Sequence, residues 1–178
     1  FGFEDTATKV AETREAIRQG ADELDLVWSI TSFLSGMTWP KIEIAQIAKL
    51  CHEEERVLKV IIETAYLSPE QIREACLICQ DAGADYVVTQ MFFDNSKYFA
   101  FVEKAREMGI TIPIIPGIKP IAVQRHLQVL PQIFRIDLPE DLIDAVDKCK
   151  NNAEIKQVGI EWAIQQSLEL KAAGVPFL

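Results

Sequence analysis

Cys76 and Cys79 form the only pair whose spacing alone suggests chemistry, since Cys-x-x-Cys is half of a zinc site or a redox couple. Within "REACLICQDAG", however, Ile72, Cys76 and Cys79 recur at i, i+4 and i+7, which places them on one apolar helical face. No second Cys-x-x-Cys and no histidine pair completes a metal site. Of the four cysteines, Cys51, Cys76, Cys79 and Cys149, this pair therefore reads as buried structural thiols, which fits a reducing cytoplasm. His52, in "CHEEER", reads as a solvated residue on a charged helix end, and His126 has no carboxylate at helical spacing. "PEDLIDAVDKCK" reads as a solvated acidic face rather than a metal site. No GxGxxG or P-loop is present to cradle a phosphate.

The chain of 178 residues is 49% hydrophobic and carries a net charge of −9, with lysine and arginine scattered. Nucleic-acid recognition needs a basic face, so a nucleic-acid partner is not expected. No apolar run approaches the roughly 20 residues that span a bilayer, so no membrane partner is expected either. The first residue is Phe1, which suggests a processed, engineered or fragmentary chain.

These residues must be positioned by a recurring unit: an amphipathic helix, a glycine that stops it, then a short apolar strand. Gly20, Gly83, Gly109 and Gly174 stand at the stops. A first helix capped at Asp5 or Thr6 leads to the strand "ELDLVWSI". A second, with Pro40 in its first turn and Ile44, Ile47, Ala48 and Cys51 inward, leads to "VLKVIIE". A third, opened by a Ser68–Gln71 capping box, leads to "DYVVTQMFF". A fourth after Asp94 leads to "TIPIIPGI". A short helix at 123–130, another in "RIDLPEDLIDAVDKCK" and a long one over about 153–172 follow. "VPFL" then reads as the start of a fifth strand. Such alternation implies parallel strands with right-handed crossovers. Periodicity leaves open a doubly wound sheet or part of a (β/α)₈ barrel.

Two resemblances decide for the barrel. Residues 1–87 resemble deoxyribose-phosphate aldolase through "KVAETREAIRQGADELDLVWSI", "VLKVIIET" and "AGADYV". Residues from about 84 to 178 resemble methylenetetrahydrofolate reductase through "GADYVVTQMFFDNSKYFAFVEKAREMGI", "PIIPGIKPI", "FRIDLPEDL" and "VGIEWAIQQSLELKAAGVPFL". Both families are (β/α)₈ barrels. The expected fold is a partial (β/α)₈ TIM barrel, one α/β domain over 1–178 with about four to five parallel strands and flanking helices. Residues 1–87 form its aldolase-like portion and 88–178 its reductase-like portion. In barrel terms the first portion supplies the helix after strand three through strand five, and the second supplies strand six through the start of strand eight. A full barrel needs eight strands and about 250 residues.

The aldolase resemblance implies a Schiff-base lysine two positions before Gln90, yet the chain has Val88-Thr89-Gln90 there, and valine has no amine. It also implies a proton-relay role for Asp25, a lysine near the site at Lys59, and a second lysine at Lys119 in "PGIKPI". The reductase resemblance implies a folate contact at Gln90, whose carboxamide both donates and accepts. That family uses FAD and NADH, but its catalytic glutamate and most flavin contacts fall on strands absent or aldolase-like here. The expectation is a hybrid or fragmentary barrel segment without turnover of its own, with no cofactor as given and FAD and NADH if the reductase reading holds. A folate or sugar phosphate is the small-molecule class implied. Unpaired sheet edges imply self-association.

Overall fold

The structure, a computed structural model, describes Gly2 and residues 4–175, the Ala65 side chain excepted. Four parallel strands lie in the order β1-β2-β3-β4: β1 (Glu23–Val27), β2 (Val57–Ile61), β3 (Tyr86–Met91) and β4 (Ile114–Gly117). Among the described residues the helices are α1 (Thr6–Arg18), α2 (Ile30–Leu34), α3 (Trp39–Glu53), α4 (Pro69–Asp81), α5 (Asn95–Glu107), α6 (His126–Phe134), α7 (Glu140–Asp147) and α8 (Asn152–Ala172), with a 3-10 turn at Thr64–Tyr66. The expected alternation and the parallel sheet are both present. The expected fifth strand falls mostly on residues 176–178, outside the described residues. Helix α2 was not foreseen, because five residues are too few to show a helical period.

Local signals set the ends of the elements. Asp5 caps α1 by accepting from the Thr8 N–H at 2.8 Å. Ser68 and Gln71 close the expected capping box on α4, and Asn151 caps α8. The four glycine stops all have positive φ, a region open to glycine without steric cost.

The chain divides into two compact units, Phe1–Thr89 with Ala105–Ile114, and Gln90–Lys104 with Ile115–Leu178. In the first, α3 packs on β2 and on α1. Leu58, Val60, Ile62 and Val87 are fully buried, as are Ile44 on α3 and Cys76 and Cys79 on α4. Each such aliphatic side chain contributes about 1.5–3 kcal/mol relative to exposure. Trp28 closes this core at 0% exposure, its indole N–H donating to the Ile62 carbonyl at 3.1 Å. The second unit has its own core of Phe93, Ile121, Leu130, Leu142, Val146 and Ile155.

Candidate functional site

Side chains alternate across a strand, so the residues between the buried ones share the other face of the sheet. In the first unit that face carries Glu23, Asp25 and Val27 from β1, Val57, Lys59 and Ile61 from β2, and Tyr86 and Val88 from β3. None of these is buried, and Glu23 and Asp25 are exposed. Strand register orders them into rows. Asp25 pairs with Lys59 and Lys59 with Tyr86; in the next row Val27 pairs with Ile61 and Ile61 with Val88. Rows on one face are two residues apart, about 6.6 Å along the strands.

Two of the four expected site residues are thus brought together. Lys59 Nζ lies 3.0 Å from Asp25 Oδ1 and 3.2 Å from Glu23 Oε2. Partial burial pushes the Lys59 pKa down, but the hydrogen bonds and charges of Asp25 and Glu23 outweigh it, and the net shift is upward. A Schiff base needs a free amine and hence a depressed pKa. Lys59 is held the other way, as a clamped ammonium. One row toward the C-terminal strand ends, the side chain is that of Val88.

The other two belong to the second unit. Gln90 is half-buried, the penultimate residue of β3, and Lys119 is exposed in the segment after β4. Burial, and secondarily the Lys119 charge, lower the pKa of His126, whose Nδ1 accepts from the Ala122 N–H at 3.2 Å. His52, read from sequence as solvated, is exposed, and its Nε2 also lies 3.1 Å from Asp85 Oδ2, which accepts from the Leu58 N–H at 2.8 Å. Burial raises the Cys76 pKa to about 11 and pushes Cys79 higher still, as inert buried thiols require. No cluster of three metal-ligating side chains occurs among the described residues. Nor is any helix among them long and apolar enough to cross a membrane.

Two features escaped sequence reasoning. Lys9 on α1 and Glu43 on α3 form an ion pair at 2.7 Å, their side chains 6% and 0% exposed. Glu43 also accepts from Thr6 Oγ1 at 2.8 Å, and Lys9 donates to the Val27 carbonyl at 3.2 Å. Their only sequence trace is the helical spacing of Thr6, Lys9 and Thr13, a polar stripe that carries no hydrophobic signal. The second is Glu63, just beyond β2 and half-buried, with a left-handed backbone at φ 47°. Burial raises its carboxyl pKa.

Parallel strands in sequential order, with helices between them, fit a partial (β/α) barrel. Two family profiles match it: DeoC/LacD family aldolase over residues 3–110 and methylenetetrahydrofolate reductase over residues 78–178. The chain belongs to both families, by different stretches that share residues 78–110. A deoxyribose-phosphate aldolase from Thermococcus gammatolerans is 39% identical over 135 residues, which is 75% of this chain and 59% of that protein. Methylenetetrahydrofolate reductase (NADH) 1 from Zea mays is 35% identical over 99 residues, 55% of this chain and 17% of that protein. Among solved structures, the aldolase QR15 superposes with a TM-score of 0.56 at 32% identity, covering 65% of this chain and 52% of its own. A putative deoxyribose-phosphate aldolase from Coccidioides immitis gives 0.53 at 26% identity, covering 65% and 46%. The chain thus spans less than two thirds of each of these relatives.

Proposed function

We propose that this chain is a hybrid barrel segment, aldolase-type in its first stretch and reductase-type in its second, that completes neither parent reaction by itself. The supporting observation is the open face of β1, β2 and β3. The row where the aldolase resemblance calls for an amine holds Val88, and the nearest lysine, Lys59, is engaged by Asp25 and Glu23. Covalent capture of a sugar-phosphate carbonyl requires an unprotonated amine, and this face offers none at neutral pH. Asp25 and Lys59 on this reading stabilise the sheet. The test is borohydride reduction in the presence of deoxyribose 5-phosphate, read by intact mass. The expected result is unmodified protein, and a covalent adduct would overturn the proposal. Val88→Lys should give a trappable adduct without aldol turnover.

A second reading is supported by family membership over residues 78–178 and by Gln90: the chain as a portion of a reductase that uses FAD to reduce 5,10-methylenetetrahydrofolate. FAD carries a diphosphate, and the β1–β2 face sets two carboxylates against one ammonium, so that face does not fit the group. A flavin absorbance band in the purified protein would favour this reading over the first.

A further inference from the structure

Strand β1 lies at one edge of the sheet, and among the described residues no strand pairs with its outer side. A cavity of about 410 Å³ is lined by all of β1 and by Lys9, Glu12, Thr13 and Ala16 of α1, wholly within the first unit. Glu23 and Asp25 from one face of β1 and Leu24 and Leu26 from the other all border it. It therefore follows the strand's edge rather than covering one face. We propose that this edge takes, from another chain, an extended segment of alternating apolar and basic residues as an added strand.

The pairing with β2 fixes which backbone groups are open. In a parallel ladder a residue turns both its N–H and its C=O to the same neighbour, and successive residues alternate. The Asp22 carbonyl accepts from the Val57 N–H at 3.1 Å, and the Trp28 N–H donates to the Ile61 carbonyl at 3.5 Å. The even-numbered positions thus face β2, and Glu23, Asp25 and Val27 direct their backbone groups outward. The Val27 carbonyl accepts from Lys9 Nζ at 3.2 Å, and Gly2 lies so near that a Cβ there would stand 3.1 Å from the same oxygen. The chain closes its own edge at that end. The outward N–H and C=O groups of Glu23 and Asp25 have no such cover among the described residues, and open groups of this kind are what strand addition uses.

The walls choose the occupant. An added strand alternates its side chains between the two faces of the sheet. On the helix side they meet half-buried Leu24 and, from α1, half-buried Ala16, which suits apolar groups. On the open side they lie beside Glu23 and Asp25, 61% and 55% exposed, and Glu4 and Glu12 add charge of the same sign. Lys59 balances only one of Glu23 and Asp25, and Glu43 balances Lys9, so the wall stays negative. Opposite charges on neighbouring strands attract and like charges repel, which selects lysine or arginine at the open-side positions. The same rule disfavours a second β1, which would set Glu23 and Asp25 against their own copies.

The test is titration of the full chain with three capped pentapeptides, matched to the five residues of β1. They are Val-Lys-Val-Lys-Val, Val-Glu-Val-Glu-Val, and the lysine peptide with its backbone nitrogens methylated. In ¹⁵N correlation spectra the lysine peptide should shift the Glu23 and Asp25 amides more than those of Leu24 and Leu26, which face β2. The glutamate peptide should bind about tenfold more weakly, and the methylated peptide should leave all four amides in place. Glu12→Lys, an exposed change on α1, should weaken the lysine peptide severalfold with an unchanged circular dichroism spectrum. Equal binding of the lysine and glutamate peptides, shifts confined to other parts of the chain, or no shift at millimolar peptide would overturn the proposal. So would a concentration-dependent dimer that shifts the same two amides, since the occupant would then be a second copy. The wild-type titrations decide the matter even where the variant fails to fold.

Discussion

Replacing Lys9 with methionine keeps most of the side-chain volume and removes the ammonium from a site where its partner, Glu43, is 0% exposed. Glu43 would keep the Thr6 hydroxyl at 2.8 Å, and the Val27 carbonyl would lose its 3.2 Å donor. Breaking a buried pair from one side costs about 3–5 kcal/mol, because the remaining charge stays desolvated. That is a large share of the roughly 5–15 kcal/mol that holds a domain folded. Glu43→Leu should cost a similar amount by stranding Lys9. The double variant Lys9→Met/Glu43→Leu removes both charges and should recover most of the loss, falling within about 1 kcal/mol of the parent or exceeding it. Urea unfolding at neutral pH, followed by circular dichroism and by fluorescence of buried Trp28, measures all four corners of the cycle. Single variants that each cost under about 1 kcal/mol, or strictly additive losses, would show that the pair is hydrated and the reasoning wrong.

Further outcomes are expected at Gly159, at Glu63 and at the cysteines. A Cβ at Gly159 would sit 1.9 Å from the Ile121 carbonyl oxygen, against backbone that cannot swing aside, so Gly159→Ala should cost at least the 1–3 kcal/mol of ordinary overpacking. Thermal melts should place it well below Gly20→Ala, whose Cβ meets nothing within 4 Å and whose cost is only the left-handed backbone, about 1 kcal/mol. Glu63→Gly should stabilise by about 1 kcal/mol by relieving the left-handed strain at φ 47°. The raised Glu63 pKa favours the folded state below the unfolded carboxyl value, and that stability is lost as pH rises through the folded pKa. Glu63→Gln should therefore flatten the stability profile just above the ordinary carboxyl range, and an unchanged slope there would refute the shift. At neutral pH, iodoacetamide should label half-buried Cys149 first, and Cys51, Cys76 and Cys79 only on unfolding; mass mapping that finds Cys76 labelled in folded protein would contradict its burial.

How far the sequence could be read depended on whether a residue acts through local geometry or through a distant partner. Ser68-Pro69-Glu70-Gln71 announces its helix because a capping box closes within four residues, and the structure contains both of its hydrogen bonds. The apolar run of β2 reads as a buried strand for the same reason: Leu58, Val60 and Ile62 lie within five residues of one another. Lys9 and Glu43 are 34 residues apart on different helices, and each alone looks like an ordinary surface charge on an amphipathic pattern. Nothing short of the α1–α3 packing reveals that both point inward. The contact between exposed His52 and Asp85, 33 residues apart, was hidden in the same way. The candidate site lies between these limits. Asp25 and Lys59 were marked by family likeness, and only strand register shows that they neighbour one another. That register also turns Val88 from a missing motif residue into a physical statement. Its side chain occupies the row beside a lysine already committed to two carboxylates, so the loss of one amine is not covered by the other.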